Sequence, residues 1–277
     1  MKTKTLYGAI DIGNSRIKIA IENDDTAFRF KDPWETGIYD FMRKYEDKKM
    51  IIGISSVNAP AFRRTIKLFA GITNSSLVND NEPDKQPYII KSKDKNFAAV
   101  KGEYLLSIQK VVDFSNIEGM GIDRSLGIIG AAQRCTPPFF TVDCGTAITI
   151  NAVDKTKTCL GGAIMSGIFT QIKALAQAAD KIIFVKLDGN FSAAGKNTDE
   201  ALKSGVVGGT GHAIIGIVKD IFDTEMKYDK FPPILLTGGY ADVMFELLSG
   251  GEYDVRWESN LILDGIIYLL KSVKFEF

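Results

Sequence analysis

Histidine and cysteine are scarce in this 277-residue chain, which has one histidine, His212, and three cysteines, Cys135, Cys144 and Cys159. One histidine excludes an HExxH zinc site and any multi-histidine metal centre. Any Ser-His-Asp or Cys-His system would have to use His212. Its surroundings, GGTGHAIIG, read as a small-residue helix face, which makes it a packing or surface histidine. An odd number of cysteines without CxxC spacing argues against a disulfide framework or a zinc knuckle. An excess of charge is also missing: 34 Lys and Arg balance 34 Asp and Glu. That removes the global electrostatic case for a nucleic-acid or membrane-surface partner. No apolar run approaches the roughly 18 residues that suggest a membrane span. The amino terminus has lysines but no apolar stretch leading to a small-residue cleavage site, so it is not read as a secretory signal. The chain is expected to be soluble and cytoplasmic, without nucleic-acid or membrane partners.

Two nucleotide-binding signatures are absent as well. No GxxxxGK[ST] occurs; GNFSAAGKN has the wrong spacing and ends on Asn197, where Ser or Thr would hold magnesium. No GxGxxG follows a strand, which excludes a Rossmann dinucleotide site. With 45% hydrophobic and 25% charged residues, the composition is that of a globular chain able to bury a full core. Its length suits about two domains of roughly 150 residues.

What is present is a repeated opening. LYGAIDIGNSRIKIAI, at 6–21, places apolar and β-branched residues on both sides of a Gly-Asn-Ser turn, the pattern of a β-hairpin. PFFTVDCGTAITINAV, at 138–153, has the same form. Asp11-Ile12-Gly13-Asn14-Ser15 aligns with Asp143-Cys144-Gly145-Thr146-Ala147, giving D-x-G-[NT]-[SA] twice. The separation far exceeds the about 20–50-residue period of a solenoid and predicts a duplicated αβ unit. Helices are expected over 34–45, 61–70, 103–112, 170–179, 198–222, 241–248 and 261–272. Further strands are expected over 50–57, 159–164, 182–185 and 234–237, with loop or edge structure over 79–95. Strands alternating with helices predict an α/β fold, divided into an amino-terminal half, 1–117, and a carboxy-terminal half, 118–277.

In each hairpin, glycine permits a tight turn and close backbone approach, while Asn, Ser or Thr offers short polar side chains. Turn amides can cradle an anion. An adjacent aspartate would repel phosphate unless a cation lay between them. Facing hairpins that grip a nucleotide's phosphates are the arrangement of the actin, hexokinase and Hsp70-like ATPase superfamily. Further strings narrow the reading: Gly121-Ile122-Asp123-Arg124 before a small-residue helix, Gly161-Gly162 to Gly167 after the second hairpin, Asn197-Thr198 opening the long helix, and Leu236-Thr237-Gly238-Gly239. Together with DIGNS and VDCGTAITI, this ordered set resembles the type III pantothenate kinases.

The resemblance implies an α/β fold of duplicated ribonuclease-H-like, actin-like ATPase domains around a nucleotide cleft. It implies ATP-dependent phosphorylation of pantothenate, the first step of coenzyme A synthesis, by a homodimer using Mg²⁺ and a monovalent cation, K⁺ or NH₄⁺. Asp11, Ile12, Gly13, Asn14, Ser15, Arg16, Ile17 and Lys18 match the first phosphate motif. Thr146 matches an ATP contact and Asp143 a monovalent-cation ligand. Gly121, Ile122, Asp123 and Arg124 match the pantothenate site, with Asp123 as base and Arg124 as substrate clamp; Thr198 matches another substrate contact. Phe114 occupies the position of a family tyrosine, and Ile117 that of a proline. Those two departures keep other acceptors in view, and a non-catalytic nucleotide- or metabolite-binding regulator is the remaining alternative. From the residues themselves, Asp123 could instead be a helix-capping residue and Arg124 a surface residue.

Overall fold

The computed structural model describes residues 5–48, 50–73, 111–179, 187–189 and 192–272. Two compact units emerge. One gathers Met1–Val111, Met120–Gln133 and Leu261–Phe277; the other gathers Val112–Gly119 and Arg134–Asn260. A single cut after residue 117 therefore does not follow the compact units. The segment Met120–Gln133 and the final helix both join the first unit, for packing reasons given below.

In the first unit, β1 (Leu6–Ile12), β2 (Arg16–Ile21), β3 (Asp24–Arg29) and β4 (Met50–Ser56) form a sheet of order β3-β2-β1-β4. β1 pairs antiparallel with β2 and parallel with β4. All seven residues of β4 are buried, as expected for a strand covered on both faces. On one face, Ile10, Ile12, Ile17, Ile19, Ile52 and Ile54 belong to a core completed by α1 (Trp34–Arg43) and α2 (Ala59–Thr73). α1 contributes Trp34, Ile38, Phe41 and Met42, whose spacing lines one helical face. α2 begins two residues before the predicted start. Asn58 Oδ1 accepts from the Ala61 amide at 3.1 Å there, satisfying a donor that the first turn would otherwise leave unpaired.

The other face is covered by α7 (Leu261–Ser272), which approaches β4 at Gly53 through Ile266 and Leu270. α3 (Ile122–Arg134) packs against α7. A Cβ on Gly130 would fall on the Leu261 carbonyl oxygen, and one on Gly265 would strike the Leu126 carbonyl. Two glycines thus bring the helix backbones together, each offsetting a helix-propensity cost of about 1 kcal/mol.

The second unit repeats the plan. β5 (Phe139–Cys144), β6 (Ala147–Val153), β7 (Cys159–Ser166), β8 (Ile234–Thr237) and β9 (Val255–Trp257) form a sheet of order β7-β6-β5-β8-β9. Again an antiparallel meander adjoins a parallel strand at its first member. Both sheets bear out the expected duplicated ribonuclease-H-like α/β plan. α4 (Ile168–Ala178), a long helix α5 (Thr198–Met226) and α6 (Ala241–Leu248) complete the unit. α5 contains π-helical turns at Ser204–Gly208 and Phe222–Met226 and extends beyond the predicted residue 222. By length and composition alone it could cross a membrane, but Leu202, Val206, Val207, Ile214 and Val218 join the unit's hydrophobic core. β3 and β9 were not expected from sequence. The segments 79–95 and 182–185 and nearly all of 103–112 lie outside the described residues.

The α3–α7 contact can be tested directly. Gly265→Ala should lower unfolding stability by about 1–3 kcal/mol, through overpacking against backbone that cannot easily yield. Urea denaturation should show a lower midpoint with an unchanged slope; an unchanged midpoint would mean that the helices need no such close approach.

Candidate active site

The first hairpin belongs to the first unit. Asp11 lies opposite Lys18 on β2 and opposite Ser55 on β4. Ile12 and Ile17 are fully buried, so their side chains belong to the core and any ligand contact there must come from backbone. The Gly13 amide donates to the Arg16 carbonyl at 3.0 Å. It closes the turn and leaves Asn14 and Ser15 at an exposed tip. A Cβ at Gly13 would meet only the Arg16 carbonyl, at 3.4 Å. Nothing within the chain therefore demands glycine, whereas a ligand approaching the backbone would.

The same unit contains Gly121–Arg124 at the start of α3. Asp123 Oδ1 accepts from the Arg124 amide at 2.8 Å. A Cβ on Gly121 would lie 2.6 Å from that oxygen. The G-x-D-R spacing has a steric cause: the carboxylate folds over the bare α-carbon two residues earlier. The Ser125 hydroxyl and amide both donate to the Gly121 carbonyl, at 3.3 and 3.1 Å, fixing the approach to the helix.

In the second unit, the Gly145 amide donates to Ala147 at 3.1 Å, echoing the first turn with one fewer residue between paired strand ends. Thr146 is exposed, and its carbonyl accepts from the Gly167 amide at 3.0 Å and the Thr170 hydroxyl at 2.7 Å. Gly167 is thus a further site glycine: a Cβ there would collide with the backbone of Gly145 and Thr146. Asp143 sits between two other glycines. A Cβ on Gly145 would lie 3.1 Å from Asp143 Oδ1, and one on Gly238 would overlap that oxygen and lie 2.7 Å from the Cys144 nitrogen. Gly238 also has φ +93°, a conformation that disfavours side chains. Burial, reinforced by Asp143 and Asp242, pushes the Cys144 thiol up. It remains protonated at neutral pH.

Phe114 lies in a loop anchored to the second unit. The Asp113 amide donates to Lys157 and its carbonyl accepts from Cys159, both at 2.8 Å. The Ser115 amide, donating to the Asp113 carboxylate, holds that carboxyl below its usual range. Thr198 is exposed in the first turn of α5, but Asn197 is the cap: its Oδ1 accepts from the Glu200 amide at 2.9 Å. The structure therefore groups the first hairpin with Gly121–Arg124, and Asp143 and Thr146 with Gly167 and Gly238. His212 is exposed, with Nδ1 2.7 Å from the Gly208 carbonyl oxygen.

Among the described residues, no group of three or more His, Cys, Asp or Glu could form a metal cage. A single carboxylate such as Asp11, in strand register with Ser55, nevertheless suits magnesium, which keeps several waters and completes its shell with phosphate oxygens. Asp143 likewise offers a hard oxygen donor, which fits an alkali cation better than a soft metal.

Residues 9–220 match the profile of the type III pantothenate kinases. The chain belongs to that family. A type III pantothenate kinase from Synechococcus elongatus is 33% identical over 154 residues, spanning 56% of this chain and 60% of that relative. One from Finegoldia magna is 25% identical over 273 residues, covering 93% of this chain and 94% of its own. A Campylobacter jejuni structure described as a Baf family transcriptional activator superposes with TM-score 0.57 at 20% identity, covering 96% of this chain and 98% of its own. That last likeness concerns the fold.

The Asp143 seat has a measurable signature. Gly238→Ala should destabilise the protein more than Gly250→Ala, although both glycines have positive φ, since nothing lies within 4 Å of a Cβ at Gly250. Strain alone costs on the order of 1–3 kcal/mol at either position; thermal melts showing equal losses would deny the contact with Asp143.

Proposed function

We propose that this chain transfers the γ-phosphoryl group of ATP to the primary hydroxyl of pantothenate, the opening step of coenzyme A synthesis, in the cytoplasm. The observation that carries the reading is the Gly121–Asp123–Arg124 arrangement at the start of α3. A carboxylate is held over a bare α-carbon, next to a guanidinium-bearing residue, in the unit that also contains the DIGNS hairpin. Phosphoryl transfer asks mainly for positioning and charge neutralisation, with a carboxylate receiving the acceptor's proton.

Each residue then has a chemical task. Asn14 and Ser15, at the tip of the first turn, together with Lys18, bind and orient the donor phosphates; Arg16 flanks them. Asp11 and Asp143 would hold Mg²⁺ and a monovalent cation, K⁺ or NH₄⁺, respectively; when bound, these ions neutralise phosphate charge. Thr146 contacts ATP from the second hairpin. Asp123 Oδ1 is fixed by the Arg124 amide, which leaves Oδ2 to take the hydroxyl proton. Arg124 suits the substrate carboxylate because its planar fork can donate two parallel hydrogen bonds. Phe114 offers an apolar wall and Thr198 a hydroxyl to the same substrate.

ATP turnover should rise when pantothenate is added and be greater in potassium than in sodium. Asp123→Asn should reduce turnover by about 10²–10⁴-fold, while calorimetry with a non-hydrolysable ATP analogue still detects pantothenate. ATP binding without pantothenate-stimulated turnover would instead favour a regulatory nucleotide binder.

The homodimer belongs to the same proposal. Gly205, Gly209, His212 and Gly216 lie along one exposed face of α5, and nothing lies within 4 Å of a Cβ at any of the three glycines. Exposed helix glycines are costly unless another surface uses their close approach. Sedimentation equilibrium should give a dimer for the wild type and a monomer for Gly209→Trp; a monomeric wild type rejects the assembly.

A further inference from the structure

Ser55 is next to the last residue of β4, 1% exposed, and its hydroxyl is the one buried side-chain nitrogen or oxygen among the described residues with no hydrogen-bond partner. Other buried hydroxyls nearby are committed. Ser56 Oγ donates to the Asn58 carbonyl and accepts from the Asn58 amide, helping to start α2. Thr65 Oγ1 donates to the Ala61 carbonyl at 2.9 Å. A buried hydroxyl without a partner bears an uncompensated desolvation cost. A fold-stabilising role therefore does not account for it.

Its position suggests what does. Ser55 is the parallel register partner of Asp11, and the strand pleat puts neighbouring positions in register on the same face. Two residues earlier on that face, Gly53 is covered by Ile266 and Leu270 of α7. Ser55 lies farther along, at the strand end where Asp11 leads into the Gly13–Arg16 turn. An anion cannot rest directly against Asp11; a hydrated cation can, and magnesium retains much of its water when only one or two carboxylates bind it.

We propose that Ser55 Oγ is a hydrogen-bonding ligand for the water shell of the magnesium ion brought with nucleotide to Asp11. This rests on the kinase reading of the first hairpin and adds a residue from a different strand to that site. The serine hydroxyl can accept a hydrogen from a metal-bound water and donate its own. Filling the site would thus provide the partner missing from the unliganded fold.

The test is thermal melting of the full chain, wild type and Ser55→Ala, with and without a non-hydrolysable ATP analogue, while Mg²⁺ is titrated at fixed analogue. Without ligand, Ser55→Ala should melt no lower than wild type, because the hydroxyl removed has no partner. With analogue, wild type should show a Mg²⁺-dependent rise in Tm. The Mg²⁺ midpoint should move up about tenfold or more in Ser55→Ala, the size expected for losing a charge-assisted hydrogen bond. Ser55→Cys, which keeps the volume with a weaker donor, should fall between them. Equal Mg²⁺ midpoints in wild type and Ser55→Ala would overturn the proposal. So would a lower unliganded Tm for Ser55→Ala with unchanged Mg²⁺ dependence, which would identify a structural hydroxyl bridged to buried water. Wild type that shows no Mg²⁺-nucleotide shift at all would reject the kinase reading of the hairpin itself.

Discussion

The backbone contact between α3 and α7 governs the first unit. Gly130 and Gly265 remove the side chains that would keep these helices apart, while Gly53 makes room for Ile266 and Leu270 against β4. The contact anchors the helix whose first turn presents Asp123 to the same sheet whose strand ends bear Asp11 and Ser55. Protein interiors transmit strain rather than absorbing it. Widening the helix crossing would therefore disturb the placement of the Asp123 carboxylate as well as the core. Asp11 and Asp123 are half-buried at element ends, in the unit whose packing these buried glycines set.

The glycines form two groups with different physical causes. Gly121, Gly145, Gly167 and Gly238 are small because other atoms of this chain occupy the space of a side chain: the Asp123 carboxylate, the Asp143 carboxylate, or the turn backbone. Gly13, Gly205, Gly209 and Gly216 meet little or nothing inside the chain. The first group is fixed by the chain's own atoms; the second is open space within the chain, which the proposed nucleotide and second copy would use.

Much of the duplicated plan was legible because both hairpins put apolar β-branched strands around short polar turns. Long helices were legible from their periodicity, as at Trp34, Ile38, Phe41 and Met42. β3 was missed because Asp24-Asp25-Thr26 looks like loop in isolation, yet β2 supplies its complete antiparallel pairing. β9 is three residues long and leaves almost no period to detect. The π turns at Ser204–Gly208 and Phe222–Met226 preserve the helical pattern closely enough to be invisible to it. The DxG turns and G-x-D-R pointed to the candidate site, but the reason for Gly121 required three dimensions. Ser55 had only a faint signal, paired serines ending an apolar strand; burial and the lack of a partner made it informative.

One consequence concerns the order in which the chain is made. The first unit is not a contiguous stretch: its sheet and two helices come early, α3 follows the intervening segment 112–119, and α7 comes after Arg134–Asn260. During vectorial synthesis, the apolar underside of β1 and β4 must therefore wait for Leu261–Ser272 to emerge. α1 and α2 can cover the opposite face early, but this face stays open until nearly the whole chain has been made, which leaves the first-made sheet a natural client for chaperones.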